Sequence, residues 1–179
     1  MKSITIKEYF NLRTTVNYDS ILNHLRGVNS FNNCKIDFNF LSYESVVKCF
    51  NLLKKADSFD VLKELFETAY NVTDFEDQKI TDYFSARNYL IEAFSDLKIK
   101  QNKLLSSIDS NAIIWEQSGG ESLNKFNDLM PLVQLGEIYG IFPHELKDKP
   151  YNEIFVLLVL HKRKNEVLNK YNELKSKQK

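Results

Sequence analysis

The chain has 179 residues, with 24 Lys and Arg against 24 Asp and Glu. The formal net charge of zero excludes a molecule-wide basic field for holding nucleic acid. Hydrophobic residues at 43% and charged residues at 27%, with only five Gly and three Pro, describe a soluble globular domain. Breakers this scarce favour long helices over a many-turned β fold.

The opening MKSITIKEYF is charged by its seventh residue and lacks the apolar stretch of a secretory leader. The longest apolar run in the chain is seven residues, far short of a membrane span, so a soluble intracellular product is expected. Thr5-Ile-Lys-Glu8 has capping-box spacing and predicts a short first helix to about Arg13. Tyr18 to Arg26 predicts a second, with Ile21, Leu22 and Leu25 on one face and Gly27 as its stop. Asn29 to Asn33 reads as a turn. Ile36, Phe38 and Phe40 then alternate with Asp37 and Asn39, the period of a half-buried strand. One short strand near 35–40, or an ordered extended connection, is therefore expected. A lone strand needs a partner, either an irregular segment or another subunit.

Ser42 predicts the cap of a helix carrying Val46, Val47, Phe50, Leu52 and Leu53. Asp57 or Ser58 caps the next, with Phe59, Val61, Leu62, Leu65 and Phe66. Thr73-Asp-Phe-Glu76 is a second capping box, expected to open the longest helix, at about 74–107. Along it Tyr83, Arg87, Leu90, Phe94, Leu97, Gln101, Leu104 and Ile108 recur at steps of four and three. Such a seam suits a neighbouring long helix, in this chain or in another copy. Were the seam intersubunit, Leu97→Asp would harm assembly more than folding.

Asp109-Ser110 predicts a short helix through Trp115, broken at Gly119-Gly120. Trp115, the only tryptophan, is expected in the core or at an interface. Leu123 to Met130 is helical until Pro131, which opens PLVQLGEIYG, with Gly140 as a left-handed cap. Ile141 to Leu146 forms a tight corner. Pro150 launches the last helix, about 150–175, with Glu153 complementing its N-terminus. The unbroken run Ile154–Leu160 predicts burial on all sides in the middle of a bundle. After it Leu160, Val167, Tyr171 and Leu174 form one stripe along a surface, with Lys162, Arg163, Lys164 and Lys170 towards water. The fold expected is all-α, a single-domain helical bundle over 1–179, divisible into an N-terminal subdomain 1–72 packed on a C-terminal bundle 73–179.

Residues that carry chemistry are sparse. Cys34 and Cys49 have no CxxC spacing and no neighbouring His cluster; two reduced thiols are a commoner outcome than a disulfide or half a metal site. His24, His144 and His161 lie on separate elements without a second ligand at i+3 or i+4, so no metal is expected. GxxxxGK[ST], GxGxxG and GxSxG are all missing, which removes sequence support for a phosphate cradle or a hydrolase elbow. Gly119-Gly120 reads as a turn before it reads as a phosphate site. No carboxylate pair is embedded in an apolar run that would shift its pKa. No enzyme and no cofactor are expected. Residues 161–179 carry seven Lys and Arg against two Glu. Contact with nucleic acid through this basic C-terminus would not be sequence-specific, and a solvated helix face is the commoner use of such a segment.

Three stretches carry a family likeness: Trp115-x3-Gly119-Gly120-x2-Leu123-x2-Phe126, LVQLGEIYGIFPHEL (132–146) and KPYNEIFVLLVLHKRKNEVLNKY (149–171). Together they resemble small helical proteins encoded among the virion and tail-assembly genes of tailed bacteriophages. TDYFSARNYLIEAF (81–94) and the Asn, Lys, Ile, Phe and Tyr bias of an AT-rich coding genome point within these to the crAss-like group. The resemblance implies a structural, non-catalytic virion component assembled in the bacterial host cytoplasm, such as a subunit of a head-to-tail connector or tail ring. Its implied partners are copies of itself and other phage structural proteins of the portal, connector or tail, with no membrane. A tail assembly chaperone absent from the mature particle is the alternative, and after it a DNA-associated or cargo protein. The contacts expected are Ile36, Phe38 and Phe40 on the strand, Leu90, Phe94, Leu97 and Leu104 on the seam, and Tyr171 on the last helix.

Overall fold

The computed structural model describes residues 4–12, 18–56, 58–106 and 116–177. The helices are α1 (Ile6–Leu12), α2 (Asp19–Leu22), α3 (Tyr43–Leu53), α4 (Phe59–Tyr70), α5 (Ile80–Leu105), α6 (Met130–Tyr139), α7 (Pro143–Lys147) and α8 (Tyr151–Ser176). Short 3-10 segments at Phe75–Asp77 and Gly120–Phe126 join them. No strand occurs among the described residues, and the fold is all-α. The short helix expected from Asp109 to Trp115 lies outside the described residues.

Local side-chain caps set three of the helix starts. The Thr5 N–H donates to the Glu8 carboxylate (2.8 Å) and the Glu8 N–H to the Thr5 hydroxyl (3.2 Å), the reciprocal pair of a capping box. Ser42 accepts from the Ser45 N–H (3.1 Å) at the head of α3, and Ser58 from the Val61 N–H (3.3 Å) at the head of α4. Along α4, Leu62, Leu65, Phe66, Ala69 and Tyr70 are buried, one stripe at steps of three, one, three and one. The helix stops at Asn71 in the left-handed conformation (φ 55°), which Asn tolerates better than most residues. Gly140 ends α6 in the same way (φ 67°), its N–H donating to the Gly136 carbonyl.

The core is largely aromatic. Phe66 lies 4.7 Å from Phe31, 5.1 Å from Tyr83 and 5.3 Å from Phe75, ring centre to ring centre. Edge-on and tilted pairs of this kind add about 0.5–1.5 kcal/mol each beyond the area they bury. One cluster of buried side chains runs from Ile6 on α1 to Phe155 on α8, so the core draws on both sides of residue 72.

Several sequence-based expectations are corrected by tertiary contacts. The segment at 35–40 is not a strand. The Asn29 carboxamide donates to the Ile36 carbonyl and accepts from the Ile36 N–H, both at 2.9 Å, which is the work a neighbouring strand would do. Beyond it, the Asp37 carbonyl accepts from the N–H groups of Phe40 and Leu41, and the Asp37 carboxylate from that of Asn39 (2.8 Å), turning the chain. Gly27 does not cap α2. It sits where a Cβ would come 3.0 Å from the backbone nitrogen of Tyr89, so its role is close approach to α5. Thr73 to Glu76 forms no capping box. The Glu76 carboxylate turns to Lys63 (2.9 Å) and Lys7 (3.5 Å) instead. Nor does the long helix start there: the Ile6 N–H donates to the Gln78 carbonyl and the Ile80 N–H to the Ile4 carbonyl, so pairing with the N-terminal segment holds residues 78–80 extended and delays α5 to Ile80.

The seam on α5 is internal. Leu90, Phe94 and Leu97 are buried within the chain, Phe94 between Phe38 (5.5 Å) and Phe50 (5.1 Å). The start of α8 is clasped by the same region. The Tyr151 N–H donates to the Leu41 carbonyl (2.8 Å), the Asn152 N–H to that of Phe38 (3.3 Å), and the Tyr43 N–H to that of Lys149 (2.9 Å). Backbone carbonyls thus serve the free N–H groups of a helix that has no side-chain cap.

Candidate functional site

Among the described residues the three histidines and two cysteines stand apart from one another. His24 bonds the Ser20 carbonyl, His161 pairs with Asn165 (2.9 Å), and His144 stacks on Phe142 (5.7 Å). Among the described residues no three or more His, Cys, Asp or Glu are grouped to hold a metal. Cys34 and Cys49 are free thiols. Burial pushes the Cys49 thiol up to about 12, so at neutral pH it stays protonated and is a poor nucleophile. The hydrogen bond from Lys63 holds the Glu76 carboxyl below its usual range, a surface ion pair and not a catalytic one.

A groove of about 830 Å³ is bounded by α3, α5, α8 and the segment before α6. Phe50, Phe94 and Phe155 give it an apolar floor, and Lys54, Lys98 and Asp128 stand among its lining. The Gln101 amide donates to the Tyr151 hydroxyl (2.7 Å), Tyr43 donates to the Asp128 carbonyl (3.4 Å), and Asn51 to the Asp128 carboxylate (3.0 Å). Burial, with Tyr151 and Asp128 nearby, pushes the Tyr43 phenol up to about 12. It therefore acts as a donor and not as a base. The described lining has no His, Cys or Glu. An apolar floor with a few polar side chains around it is a setting that suits an apolar group.

The second feature is α8 itself. Tyr151, Ile154 and Phe155 are buried, yet Val156 is 62% and Leu160 57% exposed. The apolar run is therefore not enclosed on all sides, because α3, α5 and α6 cover one side of it only. Every residue from Arg163 to Ser176 is exposed, a length of roughly 20 Å at about 1.5 Å per residue. Val167, Leu168, Tyr171 and Leu174 stand on this projecting half. The expected stripe exists, but nothing else among the described residues covers it. Lys162 marks where the helix leaves the body: its ammonium donates to the carbonyls of Leu104 (3.1 Å) and Ser106 at the end of α5, where a cation meets the negative pole of that helix.

A third feature is the corner between α6 and α7, where Ile138, Tyr139, Ile141 and Phe142 are exposed in one run of chain. Of the contacts expected from sequence, Phe40 (85% exposed) and Tyr171 face solvent, and Leu104 is half-buried. Ile36, Leu90, Phe94 and Leu97 are buried, and Phe38 half-buried, inside this one chain. Ile36, Leu90, Phe94 and Leu97 are corrected to core positions, and Phe38, like Leu104, packs against that core. The exposed Ile138, Phe142 and Val156 are the surface residues that pattern alone misses. A corner as apolar as Ile141-Phe142 is the available signal, since a solvated turn has no use for it. The chain matches no family model, no curated protein and no solved structure.

Proposed function

We propose that the protein is a structural, non-catalytic subunit of a tailed bacteriophage particle, part of a head-to-tail connector or tail ring, and acts through protein–protein contacts. One observation carries the assembly part of this reading: among the described residues nothing covers the outer half of α8, where Val167, Leu168, Tyr171 and Leu174 are exposed. An apolar face of that length is stable in water but gains free energy when another surface covers it. The phage assignment is carried by the likeness of residues 81–94 and 115–171 to tail-assembly and virion proteins.

The open groove between α3, α5 and α8 favours a second reading, a tail assembly chaperone that holds an apolar segment of its client and is absent from the mature particle. A mass-spectrometric inventory of purified particles separates the two. A particle subunit is present at a fixed stoichiometry; a chaperone is missing from particles and co-purifies with an unassembled tail protein. Absence from both would sink both. Contact with nucleic acid through the basic half of α8 would instead show as binding that falls steeply between low and moderate salt.

A further inference from the structure

We infer that copies of this chain join head to tail, the projecting half of α8 of one copy docking on the α6–α7 corner of the next. This deepens the assembly reading above and rests on it. The two surfaces are apolar and opposite in charge, in a chain whose formal charges sum to zero overall. Residues 163–177 have five Lys and Arg against two Glu, and of these five only Arg163 makes an ion pair among the described residues, with Glu166. Residues 116–149 carry six acidic residues against three basic ones, the exposed Lys149 among the latter. At the corner Glu137, Glu145 and Asp148 are exposed and make no ion pair among the described residues, while Lys147 is engaged by Glu44 (3.1 Å).

Glu137 adds a second argument. It sits in the last turn of α6, which has no basic residue, so a carboxylate lies at the negative pole of a helix, where a cation is favoured. A lysine of another copy's α8 satisfies both the carboxylate and the pole. Ile138, Ile141 and Phe142 then meet Val167, Tyr171 and Leu174.

The two surfaces do not cover each other within one copy: Ile138 and Phe142 at the corner and Val167, Tyr171 and Leu174 on α8 are all exposed in the single chain. Two such helices side by side would align an excess of like charge along their length. A contact between two different faces is heterologous and propagates into a ring or an open filament.

Two double variants test this, all at exposed positions, with circular dichroism to verify that each stays folded. Ile138→Asp with Phe142→Asp disables the corner, and Tyr171→Asp with Leu174→Asp disables the helix. By light scattering the parent chain is expected to grow beyond a monomer as concentration rises. Raising salt from about 0.1 M to 1 M, which cuts the screening length from about 10 Å to about 3 Å, should weaken that growth. Each variant alone should remain a monomer, and an equimolar mixture should form a two-chain species and nothing larger, because one competent face of each kind remains. A parent chain that is monomeric at every concentration overturns the inference, as does a corner variant that assembles like the parent or a mixture that does not pair. A chain found in particles but monomeric alone removes the head-to-tail contact and leaves the assembly reading standing. A chain that assembles alone but is missing from particles does the reverse.

Discussion

α5 and α8 are both 26 residues long, yet they end in opposite circumstances. α5 is polar over much of its length but buries Tyr83, Phe84, Leu90, Phe94 and Leu97 among α1, α3, α8 and the 28–41 connection. α8 has the more apolar run, Ile154 to Leu160, and leaves Val156 and Leu160 in water. The difference lies in the neighbours and not in the helices. Apolar spacing says that a helix face wants cover; whether the same chain supplies it depends on where the other elements are placed.

Substitutions along the two helices grade this contrast. The largest losses are expected from Phe155→Ala at the anchored start of α8, about 3–5 kcal/mol, and Leu90→Ala on α5, about 2–5 kcal/mol, read by urea denaturation. A loss for Phe155→Ala no greater than that of a surface substitution would mean that α8 is not anchored where it begins. Tyr151→Phe removes the acceptor of the Gln101 amide, where the helices cross, and should cost about 0.5–1.5 kcal/mol. An unchanged midpoint would show that water replaces the bond. Lys162→Met keeps the stem and removes the ammonium from the end of α5; about 0.3–1 kcal/mol is expected, with faster amide exchange in the last turn of α5. The smallest effect belongs to Leu174→Ala, within about 0.5 kcal/mol for folding. A larger loss there would show that the projecting half is covered within the monomer, and the comparison would collapse.

The features legible in the sequence are local. The Thr5–Glu8 box, the Ser42 and Ser58 caps and the Gly140 stop all involve groups within a few residues of one another. Readings fail where a distant partner takes the same groups. Glu76 has capping-box spacing, but Lys63 and Lys7 claim it. Ile36 to Phe40 alternates like a strand, but Asn29 satisfies Ile36 and Asp37 bends the chain after it. The seam on α5 is legible as a seam, and the pattern cannot tell an internal partner from a second copy. Its burial means that Leu97→Asp damages folding itself. For the candidate surfaces, Tyr171 and the spacing from Leu160 to Leu174 are visible in the sequence. The acidic corner is not, because its residues come from two helices that pack together only once Gly140 has turned the chain.

The bonds between Ile4–Ile6 and Gln78–Ile80 also bear on the order of events during synthesis. The α3–α4 hairpin joins neighbours in sequence and can close as soon as both helices leave the ribosome. α1 cannot seat until the residues at the head of α5 have emerged, and closing so long a loop slows its docking. Nascent chains stalled before Gln78 should therefore keep their first helix open to protease, and those released beyond Leu105 should protect it.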